Sequence, residues 1–308
     1  MRTSYTIIAA STLFALGGCG GGTTSSTTIP VAATAPAVTT PEPAPAVSVP
    51  PTQPVTQPVT SVSTDLQSFA AAWISYNMVQ IAPTLQLTAG ATATCPAGGS
   101  ASYNAATQIE TLAACGIRQF PEHTFTGSFT ANNLATSNGR TFANLSAPRV
   151  AVMTAATGLT EFTLESGDIG GDVTDSVNGD VYYFASKALS FSAGVSTRYA
   201  VSNAGATAIT ILVSNGVPDR TTTNLVFTTS NGSNTWQVQT MSPVHEADTA
   251  RPNSGNLLIT RLGALQALSV TFGPSNTFTL SGGEDGAGSR TFNWSDSAVQ
   301  AALSAGHQ

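Results

Sequence analysis

Four carboxylates crowd one glycine-rich stretch of the chain: Asp168, Asp172, Asp175 and Asp180, with Gly170, Gly171 and Gly179 between them. Carboxylate oxygens are the ligands that calcium prefers, so these four are the candidate metal ligands of the sequence. Their spacing matches neither an EF-hand loop nor a nonapeptide β-roll repeat, and the expectation is a charged hairpin loop with no metal site. His245-Glu246 followed by Asp248 has the residue types of a metal or acid–base site. It lacks a second histidine at helical spacing, and it lies between Pro243 and Pro252, so a solvated loop is expected. Glu122-His123 reads as a surface pair that opens a strand, and His307 as part of a disordered C-terminus. Nucleophile-elbow, phosphate-loop and dinucleotide glycine patterns are missing from the sequence. A pair of strand-borne carboxylates suited to glycosidic chemistry is invisible without a fold. The expectation is a non-enzyme with no catalytic residue and no cofactor.

The N-terminus carries Arg2 and then an apolar stretch from Ile7 to Leu16, ending Leu16-Gly17-Gly18-Cys19. The apolar core is too short to span a bilayer, and small residues precede the cysteine, which predicts a signal peptide over 1–18. The Leu-small-small-Cys ending resembles the lipobox of bacterial lipoproteins. That resemblance implies that Cys19 becomes the mature N-terminus and carries acyl chains such as palmitate. More than one buried chain gives stable attachment to a membrane. Residue 20 is Gly rather than Asp, which for a Gram-negative lipoprotein favours the outer membrane, facing either the periplasm or the cell surface.

Cysteine arithmetic fits an exported chain. The sequence has three cysteines, Cys19, Cys95 and Cys115, and an odd count calls for an explanation. Acylation of Cys19 accounts for one. The other two lie 20 residues apart in a compartment where disulfides persist, so a structural Cys95–Cys115 bridge is expected. The alternative, a thiol or metal site, has neither a C-x-x-C spacing nor enough ligands.

Composition narrows the class further. Charged residues make up 8% of the 308, with a formal net charge of −6 and a single lysine, Lys187. Nucleic-acid binders need a basic patch to neutralise phosphates, so nucleic acid is not an expected partner. Residues 19–63 form the acylated cysteine and a Pro/Thr/Ser-rich tether, including the tandem Gln53-Pro54-Val55-Thr56 and Gln57-Pro58-Val59-Thr60. Such a segment cannot bury a core, and its prolines forbid helix. Drawn out as polyproline II it reaches on the order of 130 Å.

Residues 64–308 then read as one β-rich domain. Thr64-Asp65-Leu66-Gln67 has the form of a capping box, and the spacing predicts a helix over 64–82 ending before Pro83. Leu66, Phe69 and Trp73 share one face of it, and Met78 falls on an adjoining one. These four are the candidate ligand-facing residues of the helix. It is apolar nearly all round, which is the pattern of a buried helix. Gln67, Ser68, Ser75, Asn77 and Gln80 argue against a membrane span. Over 98–295 about sixteen short Thr/Val/Phe/Ile runs alternate with Gly and Asn turns. They include Arg140–Asn144, Val150–Thr154, Thr160–Glu165, Val181–Ala185, Leu189–Ala193 and Thr223–Thr229. Phe125-Thr126-Gly127-Ser128-Phe129 alternates as a strand with one face on a core. The predicted fold is mainly β: a curved antiparallel meander, half-barrel or barrel-like, with the apolar N-terminal helix packed against it and a short C-terminal helix at Ser297–Ser304.

Cys95-Pro96-Ala97-Gly98-Gly99 followed by Cys115-Gly116, Gly127-Ser128, Arg251-Pro252-Asn253-Ser254-Gly255 and the hairpin Gly283-Glu284-Asp285-Gly286 is similar to a pattern in uncharacterised proteobacterial β-rich lipoproteins. The resemblance covers roughly 95–308. It implies an envelope location and the Cys95–Cys115 bridge, and no activity. A fold-level analogy is the half-barrel with a helix in its mouth found in Lol-type lipoprotein carriers. Two functions follow as expectations. One is a membrane-anchored envelope lipoprotein with a structural or protein-interaction role. The other is a binding module holding a lipid or other hydrophobic ligand in the concave face of the sheet.

Overall fold

A computed structural model describes residues 62–308, except 138–139, 177–178, 195, 204–206, 215–216, 248–250, 287 and 308. Cys19 and the expected signal peptide and tether, up to residue 61, lie outside the described residues. Helix α1 spans Thr64–Ile81, runs on as a 3-10 helix over Ala82–Thr88 and is followed by sixteen strands and a last helix, α2 (Ser297–Gly306). The first eight strands are β1 (Ala93–Thr94), β2 (Ser100–Asn104), β3 (Ile109–Gly116), β4 (His123–Ser137), β5 (Arg140–Thr154), β6 (Thr160–Ser176), β7 (Gly179–Ala193) and β8 (Thr197–Asn203). The rest are β9 (Thr207–Ser214), β10 (Val217–Thr223), β11 (Val226–Asn231), β12 (Asn234–Ala247), β13 (Ser254–Arg261), β14 (Leu268–Gly273), β15 (Thr277–Gly282) and β16 (Arg290–Asn293).

All sixteen join in one antiparallel sheet. Among the described residues no ladder links β1 to β16, so the sheet is open. The order is a meander with one departure. β7 pairs with β8 through Leu189–Ala193 and with β9 through Asp180–Phe184. β12 likewise pairs with β11 over its first half and with β10 over its last residues. The β9–β10 hairpin therefore continues the sheet beyond the ends of β8 and β11, which pair directly with each other.

Helix α1 fills the concave side. Fifteen of its eighteen residues are buried, the exceptions being Thr64, Gln67 and Asn77. Phe69 stacks on Phe278 at 4.4 Å, and Trp73 meets Trp294 at 5.0 Å. The polar residues of the helix are its ties to the sheet. Trp236 Nε1 donates to Ser68 Oγ (3.1 Å), Ser75 Oγ lies 2.7 Å from Thr229 Oγ1, and Gln80 Nε2 donates to Thr222 Oγ1 and Glu246 Oε1. A polar group removed from water must find a partner, so these bonds fix the rotation and height of the helix. No described helix is long and apolar enough to cross a membrane.

Several local expectations are corrected. The N-cap of α1 is Ser63, not Thr64: Ser63 is extended and its Oγ accepts from Leu66 N at 3.3 Å, while Gln67 Nε2 donates back to Val62 O. The runs 140–144 and 150–154 are one strand, β5, and 181–185 and 189–193 are one strand, β7. A bulge near Pro148 lets β5 pass a residue that cannot donate to a ladder. Thr223–Thr229 is broken instead of continuous, because Asn224 takes a left-handed φ of 54° and separates β10 from β11. The stretch holding Asp168, Asp172, Asp175 and Asp180 is not a loop. Its backbone belongs to β6 and β7, where Asp172 is paired with Tyr183 and Asp175 with Asp180.

The disulfide is present. Cys95 and Cys115 are bonded, with Cα atoms 5.4 Å apart. The motif around it has a steric basis: Gly99 has a φ of +76°, and a Cβ there would lie 2.0 Å from Ala114 O. Only glycine allows the two cysteine segments so close. Replacing Cys115 by serine is expected to lower the unfolding free energy by about 3 kcal/mol, the chain-entropy value for a loop of this size. Urea denaturation with and without reductant checks this, and an effect in both conditions alike would deny the bridge.

Candidate functional site

Leu66, Phe69, Trp73 and Met78, the candidate ligand-facing residues, are all buried among protein side chains, with Met78 at 0% exposure. Chemistry is concentrated elsewhere, where α1, α2, β6 and the segment before β13 meet. A cleft of about 430 Å³ opens there. Trp73 and Asn77 line it from α1, Glu161 from β6, Arg251 from the segment leading to β13, and Gln300 and His307 from α2.

Each wall is placed by packing. α2 buries Val299 and Ala302, and its end is held by Tyr199, whose hydroxyl donates to Gly306 O at 3.1 Å. His307 is thereby ordered, its ring 5.5 Å from that of Phe162, contrary to the expected disordered terminus. Burial depresses its pKa, which favours the neutral imidazole. Arg251 lies with its guanidinium 4.8 Å above the Trp294 ring, a cation–π arrangement. Burial raises the Glu161 pKa while Arg251 pulls it back. No ion pair joins Glu161 to Arg251, and among the described residues the cleft keeps the two charges apart.

Behind Glu161 runs a chain of polar groups that sequence reading missed. His123 Nδ1 is 3.7 Å from Glu161 Oε2. The neighbouring Glu122 is 2.6 Å from Arg220, which also bonds Glu246 on the next strand at 3.3 Å. Arg220 is 4% exposed and lies 4.4 Å over the Phe120 ring. The guanidinium thus clasps the 117–122 connection between β3 and β4 to β10 and β12, elements far apart in the sheet order. Glu122-His123 is therefore not a free surface pair. Burial lowers the His123 pKa and keeps the ring neutral. It also pushes the Glu246 carboxyl up, against the opposing pull of Arg220 and Gln80.

This region is short of partners. Trp73 Nε1, Glu122 Oε2, His123 Nδ1 and Arg220 Nε are all buried without a hydrogen-bond partner. Buried polar groups are almost always satisfied, so such atoms mark places where a polar molecule or water belongs.

His245 is in strand β12, not in a loop. Its Nε2 is 2.5 Å from Asp219 Oδ1 and its Nδ1 is 2.9 Å from Asn253 Oδ1. The Asn253 bond, and then the Asp219 charge, raise its pKa against the opposing effect of burial. This pair sits on the opposite face of the sheet from Arg220 and Glu246. Asp248 lies outside the described residues. Among the described residues no group of His, Cys, Asp and Glu side chains could hold a metal ion.

One carboxylate is buried alone. Glu110 on β3 is 0% exposed, with Oε2 accepting from Gly90 N at 2.9 Å and Oε1 without a partner. Burial raises its pKa to about 7. A carboxyl whose folded pKa is raised contributes stability that is complete below its unfolded pKa of about 4.5 and is lost as pH rises through about 7. Over that window wild type is expected to lose on the order of 3 kcal/mol relative to Glu110→Gln. Urea midpoints of both proteins across pH 4–8 measure the difference, and a constant gap would rule the effect out.

The chain matches no family model, and no curated protein or solved structure is significantly similar to it.

Proposed function

We propose that the protein is a membrane-anchored bacterial envelope lipoprotein, held through acyl chains on Cys19 and acting as a structural or protein-interaction module. The observation that carries the second half is the filled concave face, with α1 buried on nearly every side. A carrier of lipid in that face would need α1 to leave, breaking the bonds from Ser68, Ser75 and Gln80. The first half rests on the Leu16-Gly17-Gly18-Cys19 ending and on the proline-rich tether that follows it. A tether of that kind holds a folded body away from a bilayer while leaving its surface free to meet partners.

Fractionation of expressing cells tests the anchor. The full chain is expected in the membrane pellet with acyl chains on Cys19, and Cys19→Ser is expected to lose both the acyl mass and mature processing. A wild-type chain recovered soluble and unacylated would defeat the proposal.

A further inference from the structure

We infer that the cleft between α1, α2 and β6 is a binding site for a small zwitterion, a molecule carrying one carboxylate and one ammonium such as a free amino acid or short peptide. The inference concerns the folded body and is independent of how the chain is anchored.

The charges come first. Glu161 and Arg251 face the same cleft from different elements, and each influences the other's charge without an ion pair forming. Opposite charges that face one cleft can close onto each other as an ion pair. Here each has another engagement: Arg251 lies over the Trp294 ring, and Glu161 neighbours His123. A ligand bridging them would satisfy both, its carboxylate on the fork of Arg251 and its ammonium on Glu161. A ligand with a single charge would leave the other group uncompensated.

The walls suit the rest of such a molecule. Trp73 gives an apolar face, and its buried Nε1–H is without an acceptor. Asn77 is one of only three α1 residues that are not buried, and it faces the cleft. His307, kept neutral by burial, adds a hydrogen-bonding ring without a third charge. The volume of about 430 Å³ falls in the size range of small-ligand pockets.

The test is isothermal titration calorimetry of the full chain with the standard amino acids and alanyl-alanine, each offered separately. At least one is expected to bind with a Kd below about 1 mM. Its N-acetylated and its amidated forms, each lacking one charge, are expected to bind at least ~10-fold more weakly, as are Glu161→Gln and Arg251→Gln with the free ligand. Glu161→Gln keeps the size of the side chain and Arg251→Gln shortens it while staying polar, and circular dichroism with a thermal melt shows whether both remain folded. Absence of binding by every zwitterion would overturn the inference. So would equal binding of the singly charged forms, or binding that survives both substitutions.

Discussion

Arg220→Ala is expected to lower the unfolding free energy by about 3–5 kcal/mol, the cost of leaving buried charge uncompensated. Two carboxylates depend on this one guanidinium. Glu246 is 5% exposed, and Glu122, in the connection between β3 and β4, stands 2.6 Å from the guanidinium. Removing the arginine takes the compensating cation away from both and from above Phe120. The pair itself is not inherently a source of stability, because desolvation offsets much of the attraction. The double variant Arg220→Met with Glu246→Leu is therefore expected to recover most of the loss. Urea denaturation followed by tryptophan fluorescence measures both. A single-variant loss under about 1 kcal/mol would mean that water already shields the cluster.

Phe69→Ala should cost a similar amount, about 3–5 kcal/mol, through lost burial and the cavity left behind. The ring is 1% exposed and sits between Phe278, Trp73 and Trp294. None of those neighbours can collapse far, since Phe278 and Trp294 are carried on or beside sheet strands and Trp73 is one helical turn away. Trp236, hydrogen-bonded to Ser68 on the same helix, reports the loosening. A variant as stable as wild type would show that α1 is only loosely seated and that the concave face is available after all.

How the fold was readable follows from period and polarity. The α1 segment announced burial because it is apolar on nearly all sides, and Pro83 was compatible with its end because proline suits the first turn of the 3-10 helix that follows. Most strands were visible as alternation. Their lengths were not: the two runs predicted within β5, and the two within β7, are joined across register shifts that a sheet absorbs. The site was illegible for a related reason. Glu110 and Glu246 occupy inward positions of strands, in step with Leu112 and Val244, where an alternation rule expects apolar residues. Once His245 was placed in a loop bounded by Pro243 and Pro252, the parity of Glu246 carried no information. The partner of Glu246, Arg220, lies on β10, a strand with Pro218 in it that no hydrophobic run marks. Contacts such as Arg220 with Glu122 join residues 98 positions apart, and local pattern does not encode such distances.

Asp65 shows the same limit at the other end of α1. It is an unassigned middle residue of the predicted capping box, but in the fold it is a buried acceptor whose Oδ1 takes Glu284 N at 2.8 Å. Gly283, with a φ of +85°, leaves room for it: a Cβ there would lie 2.2 Å from Asp65 Oδ1. The glycine-rich acidic hairpin thus anchors the helix start.

The central claim is that the helix, not a ligand, fills the curved sheet. Native mass spectrometry on the full chain, purified from membranes in detergent and stripped of it in the gas phase, tests this most directly. The expected mass is that of the processed acylated chain less the two hydrogens of the Cys95–Cys115 bridge, with no non-covalent lipid retained. A discrete additional lipid mass that disappears on denaturation would contradict it and return the concave face to the list of binding sites.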